Sequence, residues 1–178
     1  TNPMRYLSLM CVLMTIPAFA AEPAKPVAKA PLDPRPEKPV VKQGEDKTLT
    51  LLAVDATVNG AKAKLEKKGE NPMNIGYWTN DQDTVTWRAT LTAGGKFDVN
   101  LEYSLAPNSK GAEIAIEFGK DQKVAVPLEA GKSFLDFRTV KVGQVELAAG
   151  EVTVTVRPVK KPGVAVMDLR QIVLKPAK

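Results

Sequence analysis

The feature that most limits the fold of this chain is a two-residue alternation of apolar and polar side chains, which begins near Thr48. Successive side chains of a β-strand point to opposite faces of a sheet, so this period indicates strands with one buried face. Turn-forming Gly, Pro and Asn residues separate the alternating runs, and no convincing helical pattern remains. The sequence therefore predicts an all-β fold of about eight to ten antiparallel strands, a β-sandwich or jelly roll. The clearest runs are 84–91, 97–104, 112–119, 123–128 and 151–158.

The first 21 residues have the pattern of a secretory signal peptide. Arg5 precedes an apolar stretch, residues 7–16, and Ala18-Phe19-Ala20 resembles a signal peptidase site. The stretch is too short to span a membrane, and residues 1–3, which precede Met4, look extraneous. We expect a bacterial protein that is secreted or periplasmic. The single cysteine, Cys11, lies in this stretch, and "SLMC" lacks the small residues of a typical lipoprotein anchor.

Residues 22–47 form a segment rich in Pro, Lys and Ala, with six prolines and almost no large apolar side chain. Such a segment cannot bury enough surface to offset the entropy of folding. We expect a disordered linker here, followed by the folded domain at residues 48–178. The linker would serve either as a spacer or simply as a tolerated tail.

Composition excludes several function classes. The chain contains no His, which removes Ser-His-Asp, Cys-His and His-metal sites. The net charge of +5 is spread thinly, apart from the basic run at residues 62–68, which contains no aromatic residue. A nucleic acid is therefore not an expected partner, although weak attraction to anionic polymers is allowed.

The stretch "NIGYWTNDQD", residues 74–83, is the first candidate site. Tyr77 and Trp78 lie outside the alternating run, and their polar neighbours include Asn80 and Asp81. A loop tryptophan can offer a flat apolar face to a sugar ring while such neighbours bind its hydroxyl groups. The alternative is that one of the two rings closes the end of the sandwich. Trp87, by contrast, is in register with buried positions and is expected in the core.

Four acidic residues are candidates for chemistry: Asp55, Asp81, Asp83 and Asp168. Glycoside hydrolysis needs two carboxylates across a cleft, about 5 to 10 Å apart. Two acids separated by one residue in a polar loop do not indicate that arrangement, and "NDQD" lacks the glycine and glutamate of a calcium loop. We therefore expect no enzymatic activity, with hydrolysis through Asp81 or Asp83 as a minor alternative.

The order of several segments resembles the galactose-binding-like jelly roll, in particular family-six-type carbohydrate-binding modules and the accessory β-sandwiches of bacterial sulfatases and fucosidases. These segments are "LLAVDATVNG", "NIGYWTNDQDTVTWRATLTAGGKFDVNLEYS", "GKSFLDFRTVKVGQVELAAGEVTVTVRP" and "VAVMDLRQIVLKP". They cover residues 48–176 approximately. The resemblance implies a non-catalytic module that binds glycans through loops at one end or edge.

The resemblance also implies particular site residues. Tyr77 and Trp78 correspond to the first aromatic position of the family's sugar site, Phe134 stands where a second tryptophan is usual, and Asp168 lies near a polar position on the last strand. With the neighbouring Asn80 and Asp81, these residues form the predicted ligand site.

A structural calcium ion is also implied by the resemblance. The family usually supplies a glutamate on the first strand and an aspartate on the last. Here Val54 occupies the glutamate position, so the expected ligands are Asp55 and Asp168.

The sequence as a whole predicts an exported, monomeric module that binds a polysaccharide or glycoconjugate weakly. The alternative is a structural module that docks to a cell-envelope protein or a secreted enzyme without binding sugar.

Overall fold

A computed structural model describes residues 37–67 and 69–178, and these residues form two β-sheets packed face to face. The signal peptide and most of the linker lie outside the described residues. The only helical segments within them are 3-10 turns, and none could span a membrane. The strands are β1 (Val41–Lys42), β2 (Leu49–Leu52), β3 (Thr57–Asn59), β4 (Lys64–Glu66), β5 (Asn74–Gly76), β6 (Thr84–Leu91), β7 (Gly95–Ser104), β8 (Glu113–Phe118), β9 (Gln122–Pro127), β10 (Arg138–Leu147), β11 (Gly150–Lys160) and β12 (Asp168–Pro176).

The first sheet has the order β1-β6-β11-β8-β9, and β3 also pairs with β6. The second sheet has the order β10-β7-β12-β5-β4, and β2 also pairs with β12. All of these pairs are antiparallel except β1 with β6. The predicted all-β sandwich is therefore confirmed.

The core lies between the two sheets and consists of the apolar half of each alternating run. Val85 and Trp87 on β6 of the first sheet and Val99 and Leu101 on β7 of the second sheet belong to one buried cluster. Trp87 is 1% exposed, as predicted, and its indole Nε1 donates a hydrogen bond of 2.7 Å to the carbonyl of Leu52. The described residues contain more strands than predicted because β1 to β5 are two to four residues long, too short to show a period.

The predicted linker is wrong at its C-terminal end, because residues 41–47 belong to the sandwich. Val41 and Lys42 pair with β6, and Gln43 is only 7% exposed. Its amide nitrogen donates to the carbonyls of Lys47 and Ala93, and its amide oxygen accepts from the backbone N–H of Ala93. One polar side chain thus ties the segment to the β6–β7 turn, which apolar content alone could not predict.

Strand β12 changes its partner along its length, and this change positions the site described below. Leu169 pairs with β5, whereas Gln171 and the residues after it pair with β2. On its other side, β12 has a β-bulge against β7 between Leu169 and Gln171. Two residues, Arg170 and Gln171, therefore oppose the single residue Glu102.

Candidate functional site

Trp78 is a core residue, not an exposed loop aromatic. Its side chain is 0% exposed, and the indole Nε1 donates a hydrogen bond of 3.1 Å to the carbonyl of Asp83. The Trp78 carbonyl in turn accepts from the backbone N–H of Val166. The expectation that this ring stacks on a sugar is therefore corrected. The ring fills the corner of the sandwich, because burying its large apolar surface is more favourable than leaving that surface in contact with water.

Asp83 and Asn80 complete this corner. The Asp83 carboxylate accepts backbone hydrogen bonds of 2.7 to 3.1 Å from Ala61, Lys62 and Ala63, and another of 2.7 Å from the Asn80 side chain. Burial raises the pKa of this carboxyl, but the hydrogen bonds outweigh burial and hold the pKa below its usual range. An acid held in its ionised form suits a structural role and not proton donation.

Asp81 and Tyr77 are the members of the predicted loop site that reach solvent. The Asp81 carboxylate accepts a hydrogen bond from the side chain of its neighbour Gln82. Tyr77 is 57% exposed, and the Nζ of Lys64 lies 4.1 Å from the centre of its ring. Its φ of +53° is left-handed, which is unfavourable for a residue with a side chain. Tyr77 therefore remains a candidate for contact with a ligand.

The predicted residues Phe134 and Asp168 present little surface. Phe134 packs partly buried against the core, and its carbonyl accepts a hydrogen bond of 2.7 Å from the Ser104 hydroxyl. Asp168 begins β12 opposite Ser104 in the sheet register and is 4% exposed. The structure thus brings these two residues to the same end of the second sheet, but they do not form an exposed aromatic surface on which a sugar could stack.

The predicted calcium ligands do not form a recognisable donor set. Asp55 ends a 3-10 turn, Ala53–Asp55, and Asp168 lies on β12. Within residues 37–67 and 69–178, no group of three or more His, Cys, Asp or Glu side chains could hold a metal ion. Calcium usually takes six to eight oxygen ligands. The calcium site therefore stays a prediction that depends on the resemblance alone.

A pocket of about 340 Å³ opens where β12 changes its partner from β5 to β2. Most of its surface is apolar, and its polar side chains come from β7 and β12. We call it the β12 pocket. Its lining residues are Leu52, Ala53, Val54, Pro72, Met73, Glu102, Arg170 and Gln171.

The polar side of the β12 pocket is a network centred on Glu102. One carboxylate oxygen lies 3.3 Å from a terminal nitrogen of Arg170, and the other accepts a hydrogen bond of 2.6 Å from the amide of Gln171. The side chains of Arg170 and Glu102 are only 15% and 20% exposed. The bulge in β12 makes this possible, because it lets two consecutive residues reach the same carboxylate.

Phe137 covers the guanidinium of Arg170, whose central carbon lies 3.5 Å from the centre of the ring. Stacking of this kind fixes the long arginine side chain and adds a cation–π attraction. The Arg170 Nε is buried and, within the part of the chain that the structure describes, is the one buried side-chain nitrogen or oxygen without a hydrogen-bond partner. The Arg170 guanidinium is thus held between the ring of Phe137 and the carboxylate of Glu102.

Sequence reasoning missed Glu102, Phe137, Arg170 and Gln171. Glu102 occupies the polar half of a regular alternation, a pattern that also describes any solvent-facing position. The useful signal was in "MDLRQIVL", where two consecutive polar residues, Arg170 and Gln171, interrupt the alternation of the last strand. Such an interruption is typical of a β-bulge, and bulges are frequent beside functional sites.

The sequence of residues 53–178 matches the family described as "Domain of unknown function (DUF5077)". The chain belongs to this family. The match covers every strand from β3 to β12 and includes Glu102, Phe137, Arg170 and Gln171. No curated protein matches this DUF5077 chain in sequence.

Solved structures similar to this DUF5077 chain include carbohydrate-binding modules. A family 35 carbohydrate binding module from Clostridium thermocellum has a TM-score of 0.60 and 15% identity, over 71% of this chain and 97% of that one. The C-terminal CBM6 of a Zobellia galactanivorans laminarinase has a TM-score of 0.59 and 14% identity, over 72% and 98%. At these identities the similarity establishes the fold.

One of the similar enzymes is much longer than this chain. A β-(1,4)-mannanase from Podospora anserina that contains a CBM35 has a TM-score of 0.59 and 20% identity, over 75% of this chain and only 28% of its own length. The expected likeness to family-six-type modules is confirmed at the level of the fold. The narrower likeness to accessory domains of sulfatases and fucosidases stays a prediction.

Proposed function

We propose that this protein is a non-catalytic glycan-binding module whose sugar site is the β12 pocket. The observation that carries the proposal is the network of Glu102, Arg170 and Gln171, which places a fixed set of donors and acceptors beside apolar surface. Sugars present the same combination, with hydroxyl groups at the edge of the ring and C–H groups on its faces.

The dimensions and composition of the pocket support this proposal. Its volume of about 340 Å³ falls at the lower end of the range for small-ligand sites, roughly 300–1,000 Å³. Leu52, Val54 and Met73 supply apolar contact, while the remaining lone pairs of Glu102 can accept from sugar hydroxyls. Because stacking on aliphatic side chains is weaker than stacking on tryptophan, we expect weak affinity at a single site.

The arrangement favours binding over hydrolysis. Of the described residues that line the pocket, Glu102 is the one carboxylate. One of its oxygens forms an ion pair with Arg170, and the other accepts a hydrogen bond from Gln171. Glycosidases usually need two carboxylates on opposite sides of the scissile bond. The fold is also shared with structures named as carbohydrate-binding modules.

Docking to a protein is the second candidate function, because Leu52 and Val54 are each about 40% exposed on the pocket wall. An exposed apolar surface of this kind also suits a peptide segment. Export to the periplasm or the medium remains part of the proposal, and the signal-like residues 4–21 support it.

The test is a glycan array on the full chain, followed by calorimetric titration of the glycans that bind. We expect Gln171→Ala to weaken binding about tenfold, since it removes a hydrogen bond that holds Glu102 and a polar group from the pocket wall. The matched control is Gln144→Ala on the outer face of the same sheet, where the amide donates to Asp98. Equal binding by the two variants, or capture of no glycan, would contradict the proposal, and release of new reducing ends would contradict the non-catalytic assignment.

A further inference from the structure

We infer that the β12 pocket selects neutral sugar units over units that carry a carboxylate or a sulfate, and that Glu102 sets this selection. The inference rests on the proposed glycan site and adds to it the chemical class of the ligand.

The first argument is the balance of charge in the pocket. Among the described residues that line it, only Glu102 and Arg170 are charged, and they form an ion pair at 3.3 Å. Both side chains are at least 80% buried, so water screens the two charges poorly. The positive charge that an anionic ligand needs is therefore already neutralised inside the pocket.

The second argument is the direction of the available hydrogen bonds. An ionised carboxylate or sulfate on the ligand can only accept hydrogen bonds. The Glu102 carboxylate can also only accept them, so the two groups cannot hydrogen-bond to each other. A neutral hydroxyl can donate to Glu102 and can also accept from the second N–H of the Gln171 amide, whose first N–H donates to Glu102. An anion would instead be repelled by Glu102 about as strongly as it is attracted by Arg170, and it would still lose its hydration.

The third argument concerns the accessible surface of the arginine. The ring of Phe137 lies against the guanidinium, 3.5 Å away, and Glu102 occupies one of its terminal nitrogens. The forked, two-bond contact by which arginine usually holds a carboxylate needs a free edge of the guanidinium. Here part of that edge is used by the protein's own carboxylate.

The net charge of +5 does not oppose this selection, because the excess of positive residues lies outside the pocket. Lys62, Lys64 and Lys67 are exposed in or beside β4, and none of them lines the β12 pocket. Attraction of an anionic polymer to such lysines would decrease as salt increases, whereas the binding of a neutral sugar in the pocket would change little.

The test compares oligosaccharides that differ only in the oxidation of C6. The full chain is titrated with β-1,4-mannotetraose and β-1,4-tetramannuronate, and with α-1,4-galactotetraose and α-1,4-tetragalacturonate, at low and at high salt. For the pair whose neutral member binds more tightly, we expect the acid to bind at least about tenfold more weakly. Glu102→Gln should reduce this ratio several-fold. The control Glu117→Gln, which removes a carboxylate paired with Arg157 on the first sheet, should leave it unchanged.

Each outcome bears on one of the two proposals. An acid that binds as tightly as its neutral partner, or an unchanged ratio in Glu102→Gln, would overturn the selection while leaving glycan binding in place. Binding of none of these sugars and of nothing on the glycan array would overturn the proposed function itself. If Glu102→Gln does not fold, the salt series on the unmodified protein is the test. Binding of the acidic sugar that weakens as salt increases would show attraction by positive charge and would contradict the selection. Binding of the acidic sugar that is weak at low salt and stays unchanged at high salt would support the selection.

Discussion

The indole Nε1 of Trp78 donates a hydrogen bond of 3.1 Å to the carbonyl of Asp83, and the Asp83 carboxylate holds the backbone of residues 61–63. The two side chains thus join the loop after β5 to the loop before β4. The stretch that contains them acts as a corner of the sandwich.

Replacing Trp78 with alanine should destabilise the fold strongly. We expect the free energy of unfolding to fall by about 3 to 5 kcal/mol, because a fully buried aromatic ring and its hydrogen bond are both lost. Trp87→Ala should have a similar effect, whereas Tyr77→Ala, at the exposed neighbour, should cost much less. Urea unfolding of the three variants measures this, and a Trp78→Ala protein as stable as Tyr77→Ala would contradict the corner role.

The stability of the protein should depend on the ionisation of Asp83. Its pKa is lower in the folded than in the unfolded chain, so the stabilisation is complete above the pKa of the unfolded chain and is lost as the pH falls through the pKa of the folded chain. We expect Asp83→Asn to be less stable at neutral pH and to lose less stability on acidification.

The control for Asp83 is Asp81→Asn in the same loop, because Asp81 is exposed. Unfolding free energies of both variants, measured from neutral pH down to about pH 3, provide the comparison. A pH profile of Asp83→Asn that is parallel to that of the unmodified protein would show that this carboxylate does not supply the dependence.

Phe137→Ala should weaken glycan binding without unfolding the protein. The ring holds the Arg170 guanidinium from 3.5 Å, and a cation–π contact is worth about 0.5 to 2 kcal/mol, which corresponds to roughly two- to thirtyfold in affinity. Leu135→Ala is the control, because Leu135 lies in the same loop and is 65% exposed. Calorimetric titration with a glycan from the array gives the result, and the idea fails if the two variants bind alike.

Tyr77 adopts a left-handed backbone conformation, with a φ of +53°. A side chain makes this conformation unfavourable by roughly 1 to 2 kcal/mol, a penalty from which glycine is free. We therefore expect Tyr77→Gly to be more stable than Tyr77→Ala by about 1 kcal/mol. Thermal unfolding of the two variants tests this difference, and equal stability of Tyr77→Ala and Tyr77→Gly would argue against the left-handed geometry. The glycan affinity of both variants tests the predicted role of the exposed ring.

A chain that starts at Thr48 should be less stable than one that starts at Glu37. The shorter chain lacks β1 and Gln43, and it leaves the backbone N–H of Ala93 without its hydrogen-bond partner. Each such loss costs about 1 to 3 kcal/mol when the group stays buried. Gln43→Ala in the longer chain should reproduce part of the loss, and equal melting temperatures for the two chains would show that residues 37–47 do not contribute.

The sequence was sufficient to predict the fold because the alternation continues through five runs, which form β6, β7, β8, β9 and β11. In each run the apolar positions predicted to face the core are the buried ones. Trp87 is buried, as its neighbours Val85 and Leu91 are. Short strands such as β1 and β4 escaped prediction, since two or three residues contain no period.

The site was harder to predict because surface and site residues share one pattern. Trp78 has polar neighbours in sequence, yet its ring is buried because Asp83 turns the loop inward through three backbone hydrogen bonds. Glu102 and Arg170 are separated by 68 residues, and only the pairing of β7 with β12 brings them together. The bulge between Leu169 and Gln171 then places Arg170 and Gln171 opposite Glu102, and its position cannot be read from the local sequence alone.

The two sides of the β12 pocket come from parts of the fold with different freedom to vary. Glu102 and Gln171 belong to paired strands of one sheet, whereas Val54, Pro72 and Met73 lie outside the strands. Substitutions in those connecting segments would alter the width and depth of the pocket without changing the register of the sheet. In the proposed glycan site, ligand size and ligand charge would therefore depend on separate segments of the chain, so that evolution or engineering could change one while the other is kept.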